Sequence, residues 1–343
     1  MLLYIMKFAY FLLLFLYSIN ALKSPTRTTR LSPLKTFEMI DNYPSYEKIK
    51  TKTQSIIKLI RPENIVPTIF LGATSGFIIN PSFNSLINNK PFLISNVITL
   101  LVMCNSMIVN DIFDIGVDIK NKVDRPLVNG EIRVGTAVTI STLLFALSEY
   151  LNFKYINRDM RIITHVANFV SVIYTPILKK IPFIKNLSCA GLISFCIVFS
   201  GLTAMPDSLI NKNAIILSIA HQLVFFGSLS IEILMDICDM DGDRQNKIYT
   251  IPVLFGKEFA LNFANNIAAF NILWSVINIT YIGNFKTGAF FMMLISPLFY
   301  NLKKIKQFNY SKEIIKYTAN ETIYPMVYSM LYLCYLGGTG GSS

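Results

Sequence analysis

Six aspartates and one asparagine fall into two groups of matching spacing. Asn110, Asp111, Asp114 and Asp118 form the first, and Asp236, Asp239 and Asp243 the second. At about 100° per residue, each set of offsets shares one helix face. Asp241 falls roughly 140° from Asp236 on the same wheel and is expected to be solvated. Three carboxylates on one face repel one another. At a membrane boundary they need a counter-charge, most simply a metal ion. Oxygen-only ligands select hard cations such as Mg²⁺, which binds few carboxylates, keeps waters and shares substrate phosphates. Two facing groups could hold ions that bridge a diphosphate. Nearby basic residues suit that anion: Lys122 and Arg125 follow the first group, Arg244 and Lys247 the second, and Lys179 and Lys180 lie between. Taken singly, each of these cations is explained about as well by membrane topology.

The elements that position these groups must be membrane helices. Of 343 residues, 53% are hydrophobic and 15% charged, against about 25% charged in an ordinary soluble domain. Mean hydropathy is +0.49. These values exclude a soluble globular protein and a disordered one. The net charge of +11 therefore points to a membrane surface or an anionic substrate, and not to nucleic acid. Five cysteines without CxxC spacing argue against a disulfide framework or a zinc site, and two histidines are too few for a histidine metal centre. With about 20 apolar residues needed per crossing, nine spans are predicted: 65–79, 91–109, 135–151, 162–178, 187–205, 214–234, 259–282, 287–302 and 323–336. The acidic groups close the second and sixth, so the chain reads as a pseudo-repeat with one acidic helix end per half. Loops on the acidic side hold fifteen basic residues and those on the other side six, which orients the acidic ends toward the cytosol or a stroma-like compartment.

Residues 1–21 carry one charge, Lys7, ahead of an apolar run and read as a signal peptide; a first membrane helix is the alternative. Residues 22–37 are basic, Ser/Thr-rich and free of acids, as in a transit segment. Together they resemble the two-part leader of algae with secondary plastids, implying a plastid membrane, or otherwise an endomembrane. Residues 38–58 form a polar approach segment, 59–336 the membrane domain, and 337–343 a Gly/Ser-rich flexible tail.

The two acidic runs resemble the signatures of the UbiA superfamily of intramembrane prenyltransferases. NDIFDIGVDIKNKVDRPLVNGEI matches NDxxDxxxD with its trailing N-K-x-x-R-P, and DICDMDGDRQNKIYTIPVLFG matches DxxDxxxD with G-D-R and T-x-P-V. Arg61-Pro62 and the Tyr174-Thr175-Pro176 loop agree more weakly. The resemblance implies an all-α integral membrane fold of nine helices around a central cavity. It implies two Mg²⁺ ions holding an isoprenyl diphosphate through Asp111, Asp114, Asp118, Asp236, Asp239 and Asp243. Asn110, Lys122, Arg125, Lys179 and Arg244 become diphosphate contacts, and Tyr174 and Arg61 cavity residues. Transfer to a lipophilic acceptor would pass through an allylic carbocation kept from water. The short link from Asp118 to Arg125 resembles geranylgeranylglyceryl-phosphate, chlorophyll-synthase and homogentisate-type members, and EILMDICDMDGDR most resembles the first. The leader favours a plastid product, so the acceptor stays open. An acceptor-free cyclase of the same fold is a further reading. A cation transporter or non-enzymatic membrane protein is disfavoured, because the acids lie at helix ends.

Overall fold

The computed structural model describes residues 44–120, 123–205, 212–246, 248–297 and 304–339. Residues 1–37, read above as a leader, lie outside that set, as do Lys122 and Lys247. All regular elements among the described residues are helical. In chain order they are α1 (Pro44–Leu59), a 3₁₀ turn (Pro62–Asn64), α2 (Ile65–Ile79), α3 (Phe83–Asn88), α4 (Lys90–Lys120), α5 (Val134–Tyr155) and α6 (Arg158–Tyr174). A second 3₁₀ turn (Leu178–Lys180) follows, then α7 (Ile184–Thr203), α8 (Lys212–Gln245), α9 (Ile251–Phe255), α10 (Lys257–Ile282), α11 (Phe285–Ile295), α12 (Lys312–Glu321) and α13 (Ile323–Thr339).

A helix occupies at least part of each of the nine predicted segments, and among the described residues five are long and apolar enough to cross a membrane: α4, α5, α7, α8 and α10. The helices at the other four positions, α2, α6, α11 and α13, have 15, 17, 11 and 17 residues. At 1.5 Å per residue these fall short of about 30 Å of hydrocarbon. Two of the long helices outrun it by half or more. α4 has 31 residues and α8 has 34, or roughly 46 and 51 Å. Their acidic ends continue the helix well past the apolar runs that close at 109 and 234, beyond the hydrocarbon.

The core of the bundle is largely hydrophobic, but one helix buries a polar face and exposes an apolar one. On α6, Thr164, Asn168 and Ser171 are buried while Ile162, Ile163, Val166 and Phe169 are exposed. Lipid tails give apolar side chains little reason to turn inward, so small polar groups can line such a face and bond across helices. Asn168 donates to Ser148 at 2.8 Å, Ser141 to Asn105 at 2.6 Å, and Thr203 to Ser95 at 2.9 Å.

α8 packs against α7 and α10, α4 against α5, and α2 against α7 and α13. Close approach needs glycine at two points. A Cβ on Gly76 would lie 2.2 Å from the Phe92 ring on α4, and one on Gly337 would lie 2.6 Å from the Ile78 carbonyl on α2. Gly337 therefore belongs to the packed bundle. α13 runs to Thr339, which corrects the flexible tail expected from residue 337.

Candidate active site

Both acidic groups sit on unbroken helix, as their spacing predicts. On α4, Asp111 is 1% exposed, and on α8, Asp236 is 2% exposed. The Arg61 guanidinium pairs with Asp111 Oδ1, and Arg125 Nε lies 3.9 Å from the same oxygen. Arg61 is aimed by its backbone: at φ 52° it is left-handed and turns the chain from α1 into the first 3₁₀ turn. A non-glycine residue in this region costs roughly 1–2 kcal/mol, and such strain clusters at functional sites.

The connection between α6 and α7 serves both groups. Lys179 pairs with Asp114, and six residues later Lys185 pairs with Asp236. Asn186 Nδ2 donates to the other Asp236 oxygen at 2.9 Å, and Thr175 donates to Asn110 Oδ1 at 3.3 Å. Tyr174, half-buried at the end of α6, lies within electrostatic reach of Asp114 and Asp236. One short stretch thus ties the two acidic helix ends into one site.

The counter-charge expected from metal is supplied here by Arg61, Lys179 and Lys185, each ion-paired to a carboxylate. Among the described residues no three His, Cys, Asp or Glu side chains converge into a metal-holding group. Arg61, expected as a cavity residue, is a partner of Asp111. Lys185 and Asn186 were not expected at the site. They open an apolar helix, where a lysine reads as a topology marker. Asp239, Asp241 and Arg244 are exposed, and Asp118 is partly so.

Two carboxylate oxygens, Asp111 Oδ2 and Asp243 Oδ2, are buried and have no hydrogen-bond partner. One lies in each group. A buried carboxylate oxygen without a donor is costly, so both are suited to a cation. The donor set is oxygen only and fits Mg²⁺, whose remaining positions are normally filled by water and phosphate oxygens.

A helical bundle with two carboxylate faces, each paired to basic residues, has the charge arrangement that suits an anion held through cations. Residues 65–321 match the UbiA prenyltransferase family, and the chain belongs to that family: it is an integral membrane prenyltransferase. It is 28% identical over 208 residues to the digeranylgeranylglyceryl phosphate synthase of Methanosphaera stadtmanae, covering 61% of this chain and 71% of that protein. A solved structure concerned with digeranylgeranylglyceryl phosphate synthase in membranes superposes with a TM-score of 0.64 at 25% identity, covering 85% of this chain and 99% of the other. A UbiA homologue from Archaeoglobus fulgidus, solved with DMAPP and Mg²⁺, superposes at 0.52 with 22% identity, covering 83% and 98%. Both relatives with a stated source are archaeal and lend no support to a plastid address.

Proposed function

We propose that this prenyltransferase takes a geranylgeranyl-type diphosphate and transfers its chain to the hydroxyl of a glyceryl phosphate that already carries one such chain. The observation that carries the donor is the pair of acidic faces held against basic residues, Arg61, Arg125 and Lys179 at the first and Lys185 at the second. Support for the acceptor comes from the digeranylgeranylglyceryl phosphate synthases among its relatives.

In this reading Asp111, Asp114, Asp118, Asp236, Asp239 and Asp243 hold Mg²⁺, two ions fitting the two groups. When bound, Mg²⁺ supplies charge neutralisation to the diphosphate as it leaves. The chain's own cations do the rest. Arg61 and Arg125 at one end, and Lys179 and Lys185 along the connecting stretch, hold the anion and stabilise the charge it gains. The C1–O bond breaks and its electron pair leaves with diphosphate. The acceptor oxygen then donates a pair to the allylic C1, and the hydroxyl proton is lost to solvent. Tyr174, within electrostatic reach of Asp114 and Asp236, is the aromatic ring assigned to the developing cation in this reading. The C20 tail stays in the apolar bundle, which favours it by about 0.8 kcal/mol per buried CH₂.

The test is to incubate membranes carrying the protein with labelled geranylgeranyl diphosphate, Mg²⁺ and a panel of acceptors. Label is expected in a di-ether glyceryl phosphate. Transfer only to an aromatic acceptor, or release of a cyclised hydrocarbon, would overturn the acceptor assignment.

A further inference from the structure

α1 lies ahead of residues 65–321, which carry the family match, and its sequence reads as a mere approach to the membrane. Its docking says otherwise. Ser55, 4% exposed, donates to Glu131 at 2.7 Å. Lys58 pairs with Asp124 at 2.8 Å. Asn129 donates to Asp124 at 2.6 Å and to Glu131 at 3.2 Å, so the two acids share one donor. Beneath this polar seam Leu59, fully buried, packs with Ile108, Leu127 and Ile132.

The seam joins the two segments that bring arginines to Asp111. Lys58 is three residues before Arg61, and Asp124 directly precedes Arg125. Both guanidiniums reach the same Asp111 oxygen. Nothing in the chain's covalent path sets their separation, since the two segments are over sixty residues apart; the Lys58–Asp124 contact spans 66.

We infer that α1 is a working part of the diphosphate site, and that Ser55, Lys58, Asp124, Asn129 and Glu131 are positioning residues that fix where Arg61 and Arg125 meet. The inference rests on reading Arg61 and Arg125 as diphosphate contacts. Magnitudes separate it from a purely structural role. Lys58 and Asp124 are 44% and 74% exposed, and such pairs add little to global stability. Their loss should therefore register in substrate binding before it registers in folding.

The experiment uses the full chain in membranes, with Lys58→Asp, Asp124→Lys, the double swap, and Ser55→Ala and Glu131→Gln. KM for geranylgeranyl diphosphate, kcat and the unfolding midpoint are measured for each. Each single charge variant is expected to raise KM roughly three- to tenfold, with kcat within about twofold and an unchanged midpoint. The swap should restore KM. If the charge variants fail to accumulate, Ser55→Ala and Glu131→Gln carry the same expectation. Unchanged KM, a swap that restores nothing, or losses that track the midpoint would overturn the inference. Arg61→Ala and Arg125→Ala distinguish the two levels. If they leave KM unchanged, the site reading fails; if they raise it while the seam variants do not, only the role of α1 fails.

Discussion

Asp239 and Asp111 carry the same charge in opposite surroundings. Asp239 is exposed, whereas Asp111 is 1% exposed and pairs with Arg61. Asp239→Asn should lower turnover about 10- to 100-fold, the usual cost of disturbing a metal-supporting ligand set, and leave the unfolding midpoint in place. Asp111→Ala should lose turnover and some stability together, because it leaves the half-buried Arg61 guanidinium without its carboxylate. Turnover and thermal unfolding, measured on both, check this. The cations divide in the same way. Arg125→Ala and Arg244→Ala should each cost about 1.5–3 kcal/mol in kcat/KM for the prenyl diphosphate. Lys306, paired with Glu258 at 2.5 Å on an exposed surface, should be replaceable by Ala at little cost to kcat/KM. The acidic residues were legible because helical periodicity is a strong signal and it continued past the apolar runs. Lys185 and Asn186 were not, because a polar residue opening a membrane helix looks the same whether it faces headgroups or a carboxylate.

At the scale of elements, α1 shows what sequence cannot display. Its seam depends on contacts 66 and 76 residues apart, and no local pattern announces them. Those contacts carry a pH signature. The Lys58 ammonium and the Asn129 amide hold the Asp124 carboxyl below its ordinary range, and Ser55 and Asn129 do the same for Glu131. Asp124 in turn raises Lys58. A depressed carboxyl contributes above its unfolded pKa and loses that contribution as pH falls through the folded one. A raised amine contributes below its unfolded pKa and loses it as pH rises through the folded one. The seam should therefore hold from about pH 4 to about pH 10. Hydrogen exchange of amides 52–59 should stay protected across that window, once corrected for intrinsic rates, and open below it. Protection lost near pH 6 would contradict the assignment. Helix starts were not legible from apolar runs alone, which place that of α6 at 162. α6 begins at Arg158, earlier than its apolar run, because the Asn157 side chain accepts from Met160 N at 3.0 Å. Each of the nine apolar runs coincides with a helix, five of them long and apolar enough to cross among the described residues, and whether a 15-residue helix crosses is decided by its neighbours and not by its own residues.

For the molecule as a whole, the apolar excess in the composition identified a membrane protein, but not which face of each helix meets lipid. In α6 hydrophobicity and burial are reversed, since Thr164, Asn168 and Ser171 face inward and Ile162, Ile163, Val166 and Phe169 outward. That reversal governs which changes the protein can absorb over many generations. In a soluble domain, apolar positions resist exchange and polar ones drift. Here the outward set is constrained only to remain greasy, so Ile, Leu, Val and Phe should replace one another there with little penalty. Inward Asn168, bonded to Ser148 and Glu149, should reject even Leu of similar size. A deep substitution scan of residues 158–174, scored by turnover in membranes, should give a tolerance profile that runs opposite to hydrophobicity.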